Sequence, residues 1–147
     1  SCALMRDGSA RCWGYNGYGE LGNGTTTSSL NPVSVSSLTG AVEMVGGYNH
    51  RCARMPGGTV RCWGYNGYGQ LGNASFANSS VPVNVSGLTN IAQVASGLYH
   101  VCGVRRDGTT KSRSLWVPAA EYRSAGPSPY KSRLRSVARI GMSATPS

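Results

Sequence analysis

Acidic residues are scarce in this chain: five Asp and Glu stand among 147 residues, against fourteen Lys and Arg. Four of the acids, Asp7, Glu20, Glu43 and Asp107, fall in the first 110 residues, and none belongs to a recurring cluster. Acid–base catalysis by paired carboxylates has no obvious source here. Only two histidines are present, and cysteines ten residues apart are poorly spaced for zinc, which favours tight CxxC or HxxxH clusters. No metal, cofactor or small-molecule substrate is expected, and the reading is of a protein that is not an enzyme. Long apolar runs are missing too, so no segment reads as a membrane-spanning helix. A single Phe, together with apolar residues in short alternating bursts, argues against long helices and for an all-β chain of short strands and turns.

What is abundant is glycine, 21 residues of it, arranged in a repeat. Cys2, Cys52 and Cys102 lie 50 residues apart, as do Cys12 and Cys62, and WGYNGYGELG at 13–22 returns as WGYNGYGQLG at 63–72. Aligning residues 2–51 with 52–101 leaves 25 identities among 50 positions. Pro32, Val33, Val35, Ser36, Leu38 and Thr39 recur at the same spacing. A third copy opens at Gly97 and stops matching after Thr110. A period of this length marks a repeat architecture in which each unit is one supersecondary element. Ser1 and Cys2 already fall inside a unit, which leads us to expect a fragment of a longer protein, with no signal peptide at its start.

Each unit reads as four strands, in the second copy 42–47, 50–55, 59–64 and 81–85. Between the middle two stands a three-residue turn, Arg6-Asp7-Gly8 or Pro56-Gly57-Gly58, with glycine available for the left-handed position. If residues 6–8 form the loop, residue 5 faces residue 9, and counting back places Cys2 opposite Cys12 and Cys52 opposite Cys62. These are non-hydrogen-bonded positions, where Cα atoms approach to about 4.5 Å, within disulfide reach. Intra-hairpin disulfides are the expectation. Buried free thiols, packed like small hydrophobes, are the alternative. The same count sets Ser112 opposite Cys102.

The run GYNGYG superficially resembles a phosphate cradle, but a P-loop or dinucleotide site needs its glycines to open a helix, and LGNGTTTSS follows instead. The glycines are expected to permit close approach of neighbouring units, with Trp13, Tyr15 and Leu21 packing beneath. His50 and His100 recur at the repeat period and are expected to do a structural job, such as a buried imidazole bonding a loop carbonyl. Matches to Asn-x-Ser/Thr at Asn23, Asn73, Asn78 and Asn84 are what chance supplies in an Asn- and Ser-rich chain. The segments that differ most between copies, 24–31 and 74–81, carry no charge, and variable loops on a fixed frame suit binding.

The WGYNGYGQLG run, the Pro-Val strand after it and GYNHRC at 47–52 together resemble the repeat of the regulator of chromosome condensation family, over residues 1–110. The cysteines resemble its bacterial, often secreted or surface-located, branch. The resemblance implies seven-bladed β-propellers with four-stranded antiparallel blades, of which this chain supplies two and a fraction, an incomplete propeller. It also implies a structural repeat signature at Trp13, Gly14, Asn16, Gly19, Leu21 and Gly22, at Trp63, Gly64, Asn66, Gly69, Leu71 and Gly72, and at His50 and His100. The functional expectation is a module for protein–protein binding through loops on a propeller face, part of a larger extracellular or surface protein, since paired cysteines persist in oxidising compartments. The alternative is a guanine nucleotide exchange factor for a small GTPase with chromatin association, located in the cytoplasm or nucleus.

From Lys111 the repeat gives way to a Ser-, Pro- and Arg-rich stretch. Residues 111–147 carry seven Lys or Arg against Glu121 alone, while 1–110 carry seven Arg against four acids, so most of the net charge of +9 belongs to this tail. We expect 111–147 to be disordered, or the product of a reading-frame change. Residues 130–140 have the spacing of a short basic amphipathic helix. Nucleic acid or membrane is expected as a partner only through this tail.

Overall fold

The structure, a computed structural model, describes residues 1–113. Residues 114–147, and with them the expected disorder of the tail and the amphipathic stretch, lie outside the described residues. The described chain is all β, in three antiparallel sheets. The first contains β1 (Cys2–Leu4), β2 (Ala10–Gly14) and β3 (Ser29–Ser34) in that order. The second is a complete four-stranded meander of β4 (Glu43–Gly46), β5 (His50–Arg54), β6 (Val60–Gly64) and β7 (Ser79–Asn84). The third contains β8 (Ile91–Ser96), β9 (Val101–Arg105) and β10 (Thr110–Arg113).

The hairpins have the register counted from the sequence. Cys2 pairs with Cys12 and Cys52 with Cys62, at Cα separations of 4.0 and 4.1 Å, and both pairs lie at disulfide distance. The Met5 amide donates to Ser9 O (2.8 Å) and the Gly8 amide to Met5 O (3.0 Å), closing a three-residue turn with Gly8 at φ +76°. A side chain there would also collide with the backbone of Gly40, 2.4 Å from the position of a Cβ. The third hairpin follows the same count. Sequence similarity ends at Thr110, yet β10 pairs with β9 as far as Arg113↔Val101, with Ser112 opposite Cys102. Ladder hydrogen bonds need extended backbone and not particular side chains, so the pairing outlasts the sequence match.

Apolar clusters fill the two places where neighbouring sheets meet. Ala10, Cys12, Leu21, Val35, Leu38 and Ala41 meet Ala53 and Trp63 at the first. Their repeat equivalents Val60, Cys62, Leu71, Val85, Leu88 and Ile91 meet Val94 and Val101 at the second. Volume is exchanged between the copies. Where Ala41 faces the first junction, the next strand carries Ala53; where Ile91 faces the second, the equivalent residue is Gly103, whose absent Cβ would sit 2.9 Å from Ile91 Cδ1. A register shift between Cys62 and Gly64 marks a bulge at Trp63, a device that re-aims a side chain. Trp63 is fully buried against the first sheet, its Nε1 donating to Glu20 O at 3.0 Å.

The copies also differ in backbone strain. Ala74 has φ +61° where the first copy has Gly24, and Ser37 has φ +53° where the second has Gly87. A left-handed conformation costs a Cβ-bearing residue about 1–2 kcal/mol, partly offset by the unfolded-chain entropy that glycine adds. Ala74→Gly is therefore expected to raise stability by about 0.5 kcal/mol, read as a higher urea midpoint with unchanged slope.

Candidate functional site: a tyrosine-lined face

Because β4, β5 and β6 alternate in direction, the loops 47–49 and 65–78 share one end of the sheet and the turn at 55–59 lies at the other. The Tyr65 amide donates to Asn49 O at 2.8 Å, tying the two upper loops together. The two ends differ in chemistry. The lower turns expose Arg6, Asp7, Arg106 and Asp107. In the upper loops, spanning 15–28, 47–49, 65–78 and 97–99, the one acidic or basic residue is Glu20, which is buried.

What the upper end presents is tyrosine. Tyr15, Tyr18, Tyr65, Tyr68 and Tyr99 form a continuous row across the three sheets, with successive ring centroids 6.1, 4.9, 6.0 and 5.0 Å apart. Neighbouring planes are inclined at 69, 60, 73 and 63°, in the edge-to-face manner that aromatic quadrupoles favour. Tyr15, Tyr18, Tyr68 and Tyr99 are exposed, as are Tyr48 and Leu98 beside them. The expectation that Tyr15 packs beneath the loop is thus corrected: it is 62% exposed. The reason is local. Its ring lies along the loop over Gly17, where a Cβ would come within 2.1 Å of the hydroxyl, and Tyr65 covers Gly67 in the same way. The glycine leaves room for a ring laid on the outside of the turn.

Beneath the tyrosines each loop is built around a buried asparagine. Asn16 Nδ2 donates to Thr25 O and Thr27 O, both at 3.0 Å, while its Oδ1 accepts from the Leu21 amide at 2.8 Å. Asn66 repeats this with Ser75 O, Ala77 O and the Leu71 amide, each at 2.9 Å. One side chain thus ties the start of the loop to its middle and its far end. Asn66→Ala leaves two carbonyls and an amide without their partner, and we expect a loss of about 2 kcal/mol, measured by urea denaturation. Leu21 and Leu71 are buried below. Gly19 and Gly69 take φ +86 and +74°, and Gly22 and Gly72 φ +65 and +58°. A Cβ at Gly19 would meet Ser80 Cα of the second sheet at 2.6 Å, the close approach between units expected from the glycines.

Glu20 and Gln70, the one difference within the ten-residue run, do the same local work: Glu20 Oε2 accepts from the Tyr18 amide and Gln70 Oε1 from the Tyr68 amide, both at 2.9 Å. Their charge follows the next sheet. Glu20 acts electrostatically on Arg51, countering the burial that lowers the guanidinium's pKa, whereas the residue equivalent to Arg51 in the third copy is the buried Val101. A neutral Gln70 therefore stands where no charge awaits it.

His50 is fully buried. Its Nε2 shares a 2.9 Å hydrogen bond with Ser96 Oγ of the third sheet, so the partner is a hydroxyl in the neighbouring unit and not a loop carbonyl. Burial, then the charges of Arg51 and His100, pushes its pKa down to about 4. His100 is half-buried and is also shifted down by burial. No group of three or more metal-ligating side chains occurs among the described residues. Trp13, Gly14 and Gly64 flank the same loops, with Trp13 half-buried and the glycines at φ +111 and +102°. Of the Asn-x-Ser/Thr matches, Asn23, Asn73 and Asn78 use their side-chain oxygens within the loops, and Asn84 is exposed on β7.

The regulator of chromosome condensation (RCC1) repeat model matches residues 7–54 and 57–104, and a second model of that repeat matches 41–70. The chain belongs to the regulator of chromosome condensation repeat family. The solved structures it is similar to include human WBSCR16, at 19% identity over 76% of this chain with a TM-score of 0.68. Two yeast structures are comparably similar. Prp20p from Saccharomyces cerevisiae, described with its binding properties to Gsp1p and histones, matches at 21% identity over 80% of the chain with a TM-score of 0.66. Yeast RCC1 (Prp20) bound to Kap60 matches at 17% identity over 78%, also with a TM-score of 0.66. The chain spans 29, 30 and 30% of the human, Prp20p and Kap60-bound chains respectively, and at these identities the likeness is one of fold. No curated protein sequence matches it. The three sheets are accordingly propeller blades, one with all four strands and two with three among the described residues, in an incomplete propeller.

Proposed function

We propose that this chain is a non-enzymatic propeller segment of a larger protein and binds another protein through the tyrosine-lined face. The observation that carries the reading is the row of five tyrosines crossing three blades on a face whose loops expose no charged side chain. Tyrosine provides large, rigid contact area at low entropic cost and is enriched in binding sites. An extracellular or surface location is part of the proposal, supported by the two cysteine pairs at disulfide distance, an arrangement that persists in oxidising compartments.

The rival reading is nucleotide exchange on a small GTPase together with chromatin association. It draws on the yeast neighbour described with Gsp1p and histones, and no observation within the described face favours it. The experiment is a comparison of two assays on the native chain and a Tyr18→Ser/Tyr68→Ser variant. A protein retained by the native chain and released by the variant, with no acceleration of nucleotide release from small GTPases, supports the proposal. Accelerated release that the native chain alone supports would replace it with the rival.

A further inference from the structure

We infer that the tyrosine row is a docking track for an extended, uncharged polyproline II segment of the partner, an inference that rests on the protein-binding reading above. Charge is the first argument. With Glu20 buried and no other acidic or basic residue in the upper loops, the charges beside them are the Arg51 guanidinium, part-buried and donating to Gly47 O, and the Ser1 ammonium, bonded to Trp13 O, both already engaged by backbone carbonyls. The ligand this face suits is one recognised by shape and neutral hydrogen bonds.

Ring orientation is the second. Tyr18, Tyr65 and Tyr68 each have an inclined ring on both sides at about 5–6 Å, as aromatic pairs prefer. The row therefore presents edges and intervening grooves more than free flat faces. A sugar ring stacks on a flat aromatic face, whereas pyrrolidine rings of a polyproline helix insert into aromatic-lined grooves. Spacing is the third. From Tyr18 to Tyr65 to Tyr68 the centroids advance 4.9 and then 6.0 Å, so one blade moves the row by at most about 11 Å, close to the roughly 9 Å turn of a polyproline helix. That bound leaves room for one turn of the ligand between Tyr18 and Tyr68, and the row is extended on the third blade by Tyr99 alone, which stands at the repeat position of Asn49.

The chemistry also fits. A polyproline helix makes no internal hydrogen bonds, so its carbonyls project outward, and tyrosine supplies a hydroxyl donor at the tip of an apolar ring. Both partners are ordered in advance: the ligand by proline, the rings by Gly17 and Gly67 beneath them and by Glu20 and Gln70 holding the Tyr18 and Tyr68 amides. Preorganisation on both sides lowers the entropic cost of association.

The test titrates the full chain with fluorescein-labelled decaproline, a length-matched Gly/Ser peptide, cellohexaose and chitohexaose. Native protein is compared with Tyr18→Ser/Tyr68→Ser and with Arg6→Ser at the opposite end, each verified as folded by circular dichroism. The expected result is saturable decaproline binding at least ten times tighter than the Gly/Ser peptide, unchanged from low to high salt, weakened at least tenfold in the double tyrosine variant and unaffected by Arg6→Ser. Decaproline bound equally by the double variant would overturn the site. Oligosaccharide bound in place of decaproline would overturn the ligand class. If decaproline fails while a protein partner is still captured by the native chain and lost in the tyrosine variant, the polyproline inference falls and the protein-binding reading stands.

Discussion

Trp63→Ala is expected to destabilise the protein by about 4 kcal/mol, more than any other single truncation considered. Full burial of an indole and its removal from a packed interior cost about 3–5 kcal/mol, and Trp63 is wholly buried at the junction of the first two blades. The truncation also strips Glu20 O of its indole donor, and Gly22, whose Cβ would meet Trp63 Nε1 at 2.7 Å, would face the resulting void. The same change at Trp13, which is half-buried, should cost about half as much or less. Urea denaturation of both variants checks this, and equal losses would contradict the assignment of Trp63 as the residue joining the blades.

Acidification from pH 6.5 to 4 is expected to remove up to about 3 kcal/mol of stability through His50. The unfolded imidazole binds a proton near its ordinary pKa, while in the fold burial, Arg51 and His100 push that value down to about 4. Between the two values the unfolded chain holds more protons, so stability rises with pH across this window. It is fully present above about pH 6.5 and is lost as pH falls towards 4. His100, lowered by burial, adds in the same sense. His50→Gln keeps a polar group facing Ser96 but does not titrate. Its urea stability should be flatter across the window than that of the native chain, and an unchanged slope would contradict the role given to His50.

The blade was legible in the sequence because hairpin register is arithmetic: a three-residue turn at 6–8 fixes Cys2 opposite Cys12, and the structure has that pairing. Glycine at the turn, the four strands and the family followed from the same run of residues. The inter-blade partners were not legible. Nothing in the chain's order announces that His50 meets Ser96, or that Glu20 answers Arg51, because these contacts cross 46 residues in one case and depend on how one sheet stacks on the next. The tyrosine face was missed for a related reason. Aromatic residues beside glycines read as core, and Tyr15 became a surface residue only once its ring was seen to lie over Gly17. The signal was there in retrospect: tyrosines three apart, repeated in both copies without charge between Tyr15 and Tyr18 or between Tyr65 and Tyr68. The variable segments 24–31 and 74–81 differ most between copies, yet it is the repeated Tyr18, Tyr65 and Tyr68, with Tyr99 at the position of Asn49, that join across blades.

The central claim, that the chain binds through its upper face, is tested most directly by hydrogen–deuterium exchange with and without a captured protein partner. The account predicts slowed exchange in 15–19, 65–69 and 97–99 and none in the lower turns at 6–8, 56–58 and 106–108. Protection confined to the lower turns, with the tyrosine loops unchanged, would contradict it.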